Sequence, residues 1–208
     1  MTNKFIVFEA IDGSGTSTQA RLLVEYLYAN DQKAKLTSEP SEGPIGHLIR
    51  ELFKGRVTFG GSQQHFDRMM AHLFAADRHD HLYNSIDGVT IALQTHHVIS
   101  TRYFYSSLAY HCSNKDDFNF VHAINKDFPA PDAIVYVDID VESAIQRMST
   151  RFTKDKYEKE NKLRCVKANY EHMFTNIFND IVVRVDGLQS PLKVHEEIVS
   201  KLKHKGVL

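Results

Sequence analysis

The densest set of groups able to do chemistry follows the apolar run Phe5 to Phe8: Glu9, Ala10, Ile11, Asp12, Gly13, Ser14, Gly15, Thr16, Ser17 and Thr18. From Gln19 to Asn30, Leu22, Leu23, Tyr26 and Leu27 fall on one face at helical spacing. A strand, a glycine-bearing turn and a helix in succession aim main-chain amides and the positive end of a helix dipole at a common point, where an anion is favoured. Against the P-loop template, a glycine, four free positions and then Gly-Lys-Ser/Thr, Gly15 and Ser17 fit. Ala10 stands where the first glycine belongs and Thr16 where the lysine belongs. The amide cradle needs only main chain and small side chains, so the loop from Gly13 to Thr18 keeps the capacity to hold phosphate oxygens. Ser17 can offer its hydroxyl to Mg²⁺. The missing group is the ammonium that neutralises charge on a transferring phosphoryl group. The competing reading is a tight turn whose Ser17 or Thr18 caps a helix.

The elements that must position this loop are legible as short β-branched runs: Phe5 to Phe8, Ala34 to Thr37, His97 to Ser100, Ala133 to Ile139 and Ile181 to Val185. Helical periodicity marks Ile45 to Phe53, Gln63 to Ile86, Val141 to Arg151 and Leu192 to Leu202, with a loop from Lys54 to Ser62 before the longest of these. Five strands alternating with helices predict an α/β fold, a five-stranded parallel sheet flanked by helices on both faces. Ligands of such sheets sit beyond the carboxyl ends of the strands. The residues to read are therefore Glu9 to Thr18, Ser38 to Pro44, Thr101 to Tyr110 and those after Asp138 and Asp140.

At 208 residues the chain suits one domain, expected over 1–208, and its formal net charge of −1 suggests neither nucleic acid nor membrane as partner. The first apolar run is too short for a signal peptide, and no stretch approaches membrane-spanning length. Cys112 and Cys165 lack ligand spacing and suit reduced thiols in the cytoplasm. His79/His81 and His96/His97 have no carboxylate or cysteine at a metal-ligand interval, so surface or packing roles are expected. The stretch from Arg151 to Arg164 holds four lysines, two arginines and three acids. It reads either as a solvated helix face or, in a phosphate-handling protein, as a cationic flap over a polyanion.

In order along the chain, six motifs resemble the thymidylate kinase family of P-loop nucleoside monophosphate kinases. Phe8 to Gln19 resembles the opening FEGxDGxGKSTQ, and Thr37-Ser38-Glu39-Pro40 resembles TREP, with Pro44-Ile45-Gly46 and Ile49-Arg50 after it. Leu73 to Arg78 followed by His81 is similar to LFAADR and its histidine. Arg102-Tyr103, Ser106-Ser107 and Ala109-Tyr110 resemble DRYxxSSxAYQ. Pro131-Asp132 leading to Tyr136-Val137-Asp138 resembles the strand before the lid, and Arg151, Asp155, Lys156 and Glu158 resemble the lid pattern RxxxDRxE.

The resemblance implies a P-loop kinase fold with a lid at about 151–164, and transfer of the ATP γ-phosphoryl to the 5′-phosphate of a deoxynucleoside monophosphate, thymidylate first, with Mg²⁺. By the same likeness Arg102 and Arg78 meet the acceptor nucleotide, and Phe74 stacks on its base. Glu39, Ser106, Ser107 and Tyr110 line that pocket, and Asp12 lies near the acceptor's phosphate and sugar. Ala10 to Thr18, with Ser17 on the metal, hold the donor phosphates. Arg151, Lys154 and Lys156 supply lid charge, Arg151 as a catalytic cation. The likeness further implies a cytoplasmic homodimer.

The departures cluster where chemistry occurs: Thr16 for the lysine, Thr101 for the aspartate before Arg102, Ser38 for the TREP arginine, Ala10 for the first glycine. Loss of one preorganised electrostatic contact typically costs ~10²–10³ in rate. Two expectations follow. One is a working kinase whose lid cations replace the ammonium; the other is a catalytically impaired relative that binds nucleotide as a sensor or structural partner.

Overall fold

Phe5 to Glu9 form a strand, β1, of which every residue is buried. The computed structural model describes residues 2–148 and 156–208, the side chains of 156–159 excepted. In it β1 is the central strand of a five-stranded sheet. Its companions are β2 (Ala34–Ser38), β3 (His97–Thr101), β4 (Ala133–Asp138) and β5 (Val182–Asp186), in the order β2-β3-β1-β4-β5. All neighbours run parallel; Phe8 lies opposite Thr101 of β3, and Glu9 opposite Tyr136 of β4. The expected parallel sheet is the observed one, each strand bound falling within a residue of the apolar run that signals it.

Helices follow in chain order: α1 (Thr16–Ala29), α2 (Pro44–Phe53), α3 (Gln63–Tyr83), α4 (Val89–Ala92), α5 (Phe104–His111), α6 (Lys115–Asn125), α7 (Val141–Met148), α8 (Lys156–Asn176) and α9 (Pro191–His204). Strand alternation divides the core into two layers. Ile6, Phe8, Val135 and Val183 pack with Leu23 and Leu27 of α1 and Ile198 and Leu202 of α9. Phe5, Val7, Ile134 and Tyr136 face the other way, under Tyr105 and Leu108 of α5, Ala144 of α7 and Val166 and Tyr170 of α8. Burial of each large apolar side chain stabilises the fold by about 1.5–3 kcal/mol. Ile49, Leu52 and Met70 join α2 to α3 in a smaller cluster. Among the described residues no helix is long and apolar enough to cross a membrane.

Three departures from the sequence expectations have physical causes. The long helix stops at Tyr83, and Ile86, expected inside it, is 86% exposed after an Asn84 whose amide closes the last turn on Asp80 O. α5 and α6 lie outside the helices expected from the sequence; Phe104, Tyr105, Leu108 and Ala109 form a buried helical face on α5. Asn114 caps α6 by accepting from the Asp117 amide at 2.9 Å. Of the charged stretch at 151–164, residues 156–164 belong to α8, whose Leu163, Val166, Tyr170 and Met173 form a buried stripe. Arg151 and Lys154, expected as lid cations, lie outside the described residues, as does the side chain of Lys156.

Candidate active site

β1 and β3 end side by side, and the chain leaves both into the same crevice. After β1 the loop turns through Gly13 at φ 85° and Gly15 at φ 93°, left-handed conformations that glycine adopts without steric cost. Gly13 is also pressed against α7: a Cβ built there would lie 2.5 Å from Ala144 O. Gly15 caps α1, and its carbonyl accepts from the amides of Thr18 and Gln19 at 3.0 and 3.1 Å. No described residue accepts from the amides of Gly13, Ser14, Gly15, Thr16 or Ser17. The hydroxyl of Ser14, a residue only 3% exposed, has no partner among the described residues. A row of free amides around an orphaned buried hydroxyl at a helix start is a seat for phosphate oxygens.

Thr16 is the first residue of α1 and brings no charge. The described cation beside the loop comes instead from α7: Arg147 donates to Ser14 O at 3.3 Å and to Gly187 O at 2.8 Å. It spans the phosphate loop and the turn after β5. Ala10 and Ile11 are buried, whereas Ser17 is exposed on the first turn of α1. There its hydroxyl fits a magnesium ion held mostly by substrate phosphates and water.

After β3 the backbone of Arg102 takes φ 72°, a conformation costly for a non-glycine residue. It is held there by its amide, which donates to Phe8 O at 2.9 Å, and by its carbonyl, which accepts from Ser100 Oγ at 3.0 Å. The turn sends the side chain across to β1. The guanidinium donates to Asp12 Oδ1 at 2.5 Å, to Ser106 Oγ at 2.9 Å and to the Tyr110 hydroxyl at 3.3 Å, and stacks over the Tyr110 ring. The Asp12 amide in turn donates to the Tyr110 hydroxyl at 3.1 Å. Four residues expected from the sequence, Asp12, Arg102, Ser106 and Tyr110, thus share one cluster. At its centre Arg102, its side chain 25% exposed, offers a guanidinium suited to a phosphate.

A second group lies deeper. Arg78, on α3, donates through Nε and Nη2 to Glu39 Oε2, at 2.9 and 2.5 Å. It also donates to Ser107 Oγ at 3.3 Å and to Asn125 Oδ1. Both side chains of the ion pair are 1% exposed. His81 adds Nδ1 at 3.4 Å from Glu39 Oε1 and bonds Thr37 Oγ1 through Nε2 at 2.6 Å, so its role here is packing within a polar cluster. Arg78, Glu39 and Ser107, expected to line the acceptor pocket, therefore form a closed buried network in this conformation, and Ser107 joins it to the adjacent Ser106. Phe74 is half-buried, with ring centroids 6.2 Å from Phe53 and 5.4 Å from His111. Burial pushes His111 down to about 4, helped by Lys162 and Arg78, so its ring is neutral at physiological pH.

Of four further residues of this crevice, the sequence marks Glu9 only as the first after the apolar run, and it marks Tyr170, Arg147 and His111 not at all. Glu9 is wholly buried at the end of β1, and burial pushes its carboxyl up to about 6 against donors that favour the anion. A carboxylate closing an apolar central strand was its signal. Tyr170, which bonds Glu9 at 2.7 Å, comes from the far end of the chain and had none. Arg147 lies in the last turn of α7 and His111 directly follows Tyr110 as the last residue of α5, and only the packing of those helices brings them in.

A central-strand phosphate loop facing an arginine cluster beyond the neighbouring strand defines a P-loop kinase of the α/β class. The family model for thymidylate kinase matches residues 8–198, and the chain belongs to that family. It is 36% identical to a probable thymidylate kinase of Methanococcus aeolicus over 99% of each chain. Similar likenesses hold for proteins of the same description from Pyrococcus horikoshii, 35% identical over 99% of this chain and 98% of that one, and Methanocaldococcus jannaschii, 36% identical over 97% of each.

Proposed function

We propose that the protein transfers the γ-phosphoryl group of ATP to the 5′-phosphate of thymidylate. The observation that carries this reading is the meeting of two anion sites at the ends of β1 and β3, the free amides from Gly13 to Ser17 and the Arg102 cluster. Transfer between two polyanions is mostly a matter of alignment and charge neutralisation. The loop amides hold the donor phosphates, and Arg147 adds positive charge at their edge. Ser17 would hold Mg²⁺, which when bound supplies a divalent charge to the donor phosphates. Arg102 exchanges its contact with Asp12 for the acceptor phosphate, while Ser106 and Tyr110 keep its plane fixed. Phe74 offers its ring to the base, with Glu39, Arg78 and Ser107 bracing the pocket from behind.

On this reading the chain is one domain in which 151–164 closes as a lid, Arg151, Lys154 and Lys156 adding charge over the donor. Its likeness to the family supports action in the cytoplasm as a homodimer.

The test is ADP release in a coupled assay with ATP, magnesium and each natural deoxy- and ribonucleoside monophosphate. Turnover is expected to be highest with thymidylate, and its preference over deoxyuridylate to stay within what one methyl group supplies, about 1–3 kcal/mol. Absence of turnover with every acceptor refutes the reading.

A further inference from the structure

We propose that Glu9 is a positioning residue for the acceptor, its buried carboxylate fixing the direction of the Ser106 hydroxyl and, through it, the guanidinium of Arg102. The inference rests on the acceptor role given above to Arg102. Glu9 itself is 0% exposed, so its influence passes through its neighbours.

Glu9 Oε1 accepts from the Tyr103 amide at 2.8 Å, and Oε2 accepts from Ser106 Oγ at 2.6 Å and from the Tyr170 hydroxyl at 2.7 Å. Each hydroxyl has a single proton; Ser106 gives its own to Oε2, and the Tyr170 proton is shared between Oε2 and Ser106 Oγ, 2.8 Å away. Ser106 Oγ then has only lone pairs to turn toward its other neighbours. One lone pair of Ser106 receives Arg102 Nη1 at 2.9 Å. An ionised Glu9 thus keeps the Ser106 proton off the side that faces the guanidinium, which can only donate. A neutral group at this position releases the serine proton, which then competes with Arg102 for the space between them.

Burial pushes Glu9 up to about 6, so it is ionised at physiological pH, and the Ser106 hydroxyl, the Arg102 charge, the Tyr170 hydroxyl and the Tyr103 amide together oppose a larger rise. Tyr170 stands on α8 and Ser106 on α5, so the carboxylate also locks these two helices to the end of the central strand.

The experiment measures the thymidylate dissociation constant by calorimetry, and KM for both substrates, in the full-length protein and in Glu9→Gln, Tyr170→Phe, Ser106→Ala and Glu9→Gln/Ser106→Ala. Glu9→Gln is expected to weaken thymidylate about tenfold to a hundredfold, the range of a hydrogen bond to a charged group, with KM for ATP unchanged. Tyr170→Phe, which leaves the carboxylate in place and carries the test should Glu9→Gln fail to fold, is expected to weaken thymidylate about threefold to tenfold. On the Ser106→Ala background the Glu9 change is expected to have almost no further effect, because its influence passes through that hydroxyl. A purely structural Glu9 would instead give additive losses and raise both KM values. That pattern, or unaltered thymidylate binding by the variants, overturns the inference while leaving the kinase reading intact. Failure of the unmodified chain to bind thymidylate at all overturns both.

Discussion

Arg102 and Asp12 face each other across the crevice at 2.5 Å, so the strand end that would carry the acceptor's counter-charge is already held by the loop that would carry the donor. The carboxylate keeps the guanidinium extended and pre-oriented. Replacing Arg102 by alanine is expected to lower kcat/KM for thymidylate by ~10²–10³, as loss of a preorganised charge contact does. Arg102→Lys should recover only part of this, because a point charge cannot bond Asp12, Ser106 and Tyr110 from one plane. Steady-state kinetics at saturating ATP check both.

Arg147 bridges the carbonyls of Ser14 and Gly187 on the opposite side. Arg147→Ala is expected to raise KM for ATP about tenfold or more, the worth of a charged hydrogen bond, and to leave KM for thymidylate unchanged. Installing the customary residues, Thr16→Lys with Thr101→Asp, should alter turnover by much less than the ~10²–10³ of a single essential contact. Initial rates with each substrate varied in turn separate these effects.

Arg78 and Glu39 are a buried pair, and removal of either leaves an uncompensated charge. Arg78→Ala and Glu39→Ala should each cost about 3–5 kcal/mol of stability. At about 2–4 °C per kcal/mol for a chain of this size, the melting temperature falls by roughly 6–20 °C. The double variant should lose less than the sum, since the second removal discharges the first. Urea unfolding of the three proteins measures the coupling.

Glu9 titrates at about 6 in the folded chain against an ordinary value of 4.5. The folded state therefore binds more protons than the unfolded one between these values, and the contribution of Glu9 to stability falls as pH rises through that window. By about pH 7 the loss is nearly complete and amounts to roughly 2 kcal/mol. The unfolding free energy of the parent minus that of Glu9→Gln should drop by this amount from about pH 4.5 to about pH 7. Urea midpoints across the range test it.

The sheet could be read from the chain because parallel strands buried on both faces are continuous apolar runs, as in Ala133 to Val137, and these leave little ambiguity. The crevice was half legible. Asp12, Arg102, Ser106 and Tyr110 are near-neighbours of strand ends, so position along the sequence translates directly into position in space. Arg78 could be found but not its burial, because that depends on Glu39 and Asn125 from two other elements. Tyr170 lay beyond reach for the same reason: nothing local to α8 says that its hydroxyl meets a carboxylate 161 residues earlier.

The strand made first is the one that ends up in the middle. β1 has its partners in β3 and β4, which begin at His97 and Ala133. A nascent chain emerging at about 5–20 residues per second therefore carries its first apolar segment unpaired for several seconds. Over that interval Phe5 to Phe8 has neither neighbour to shelter it, and the ribosome or a chaperone must keep it from other chains until translation is well past its midpoint.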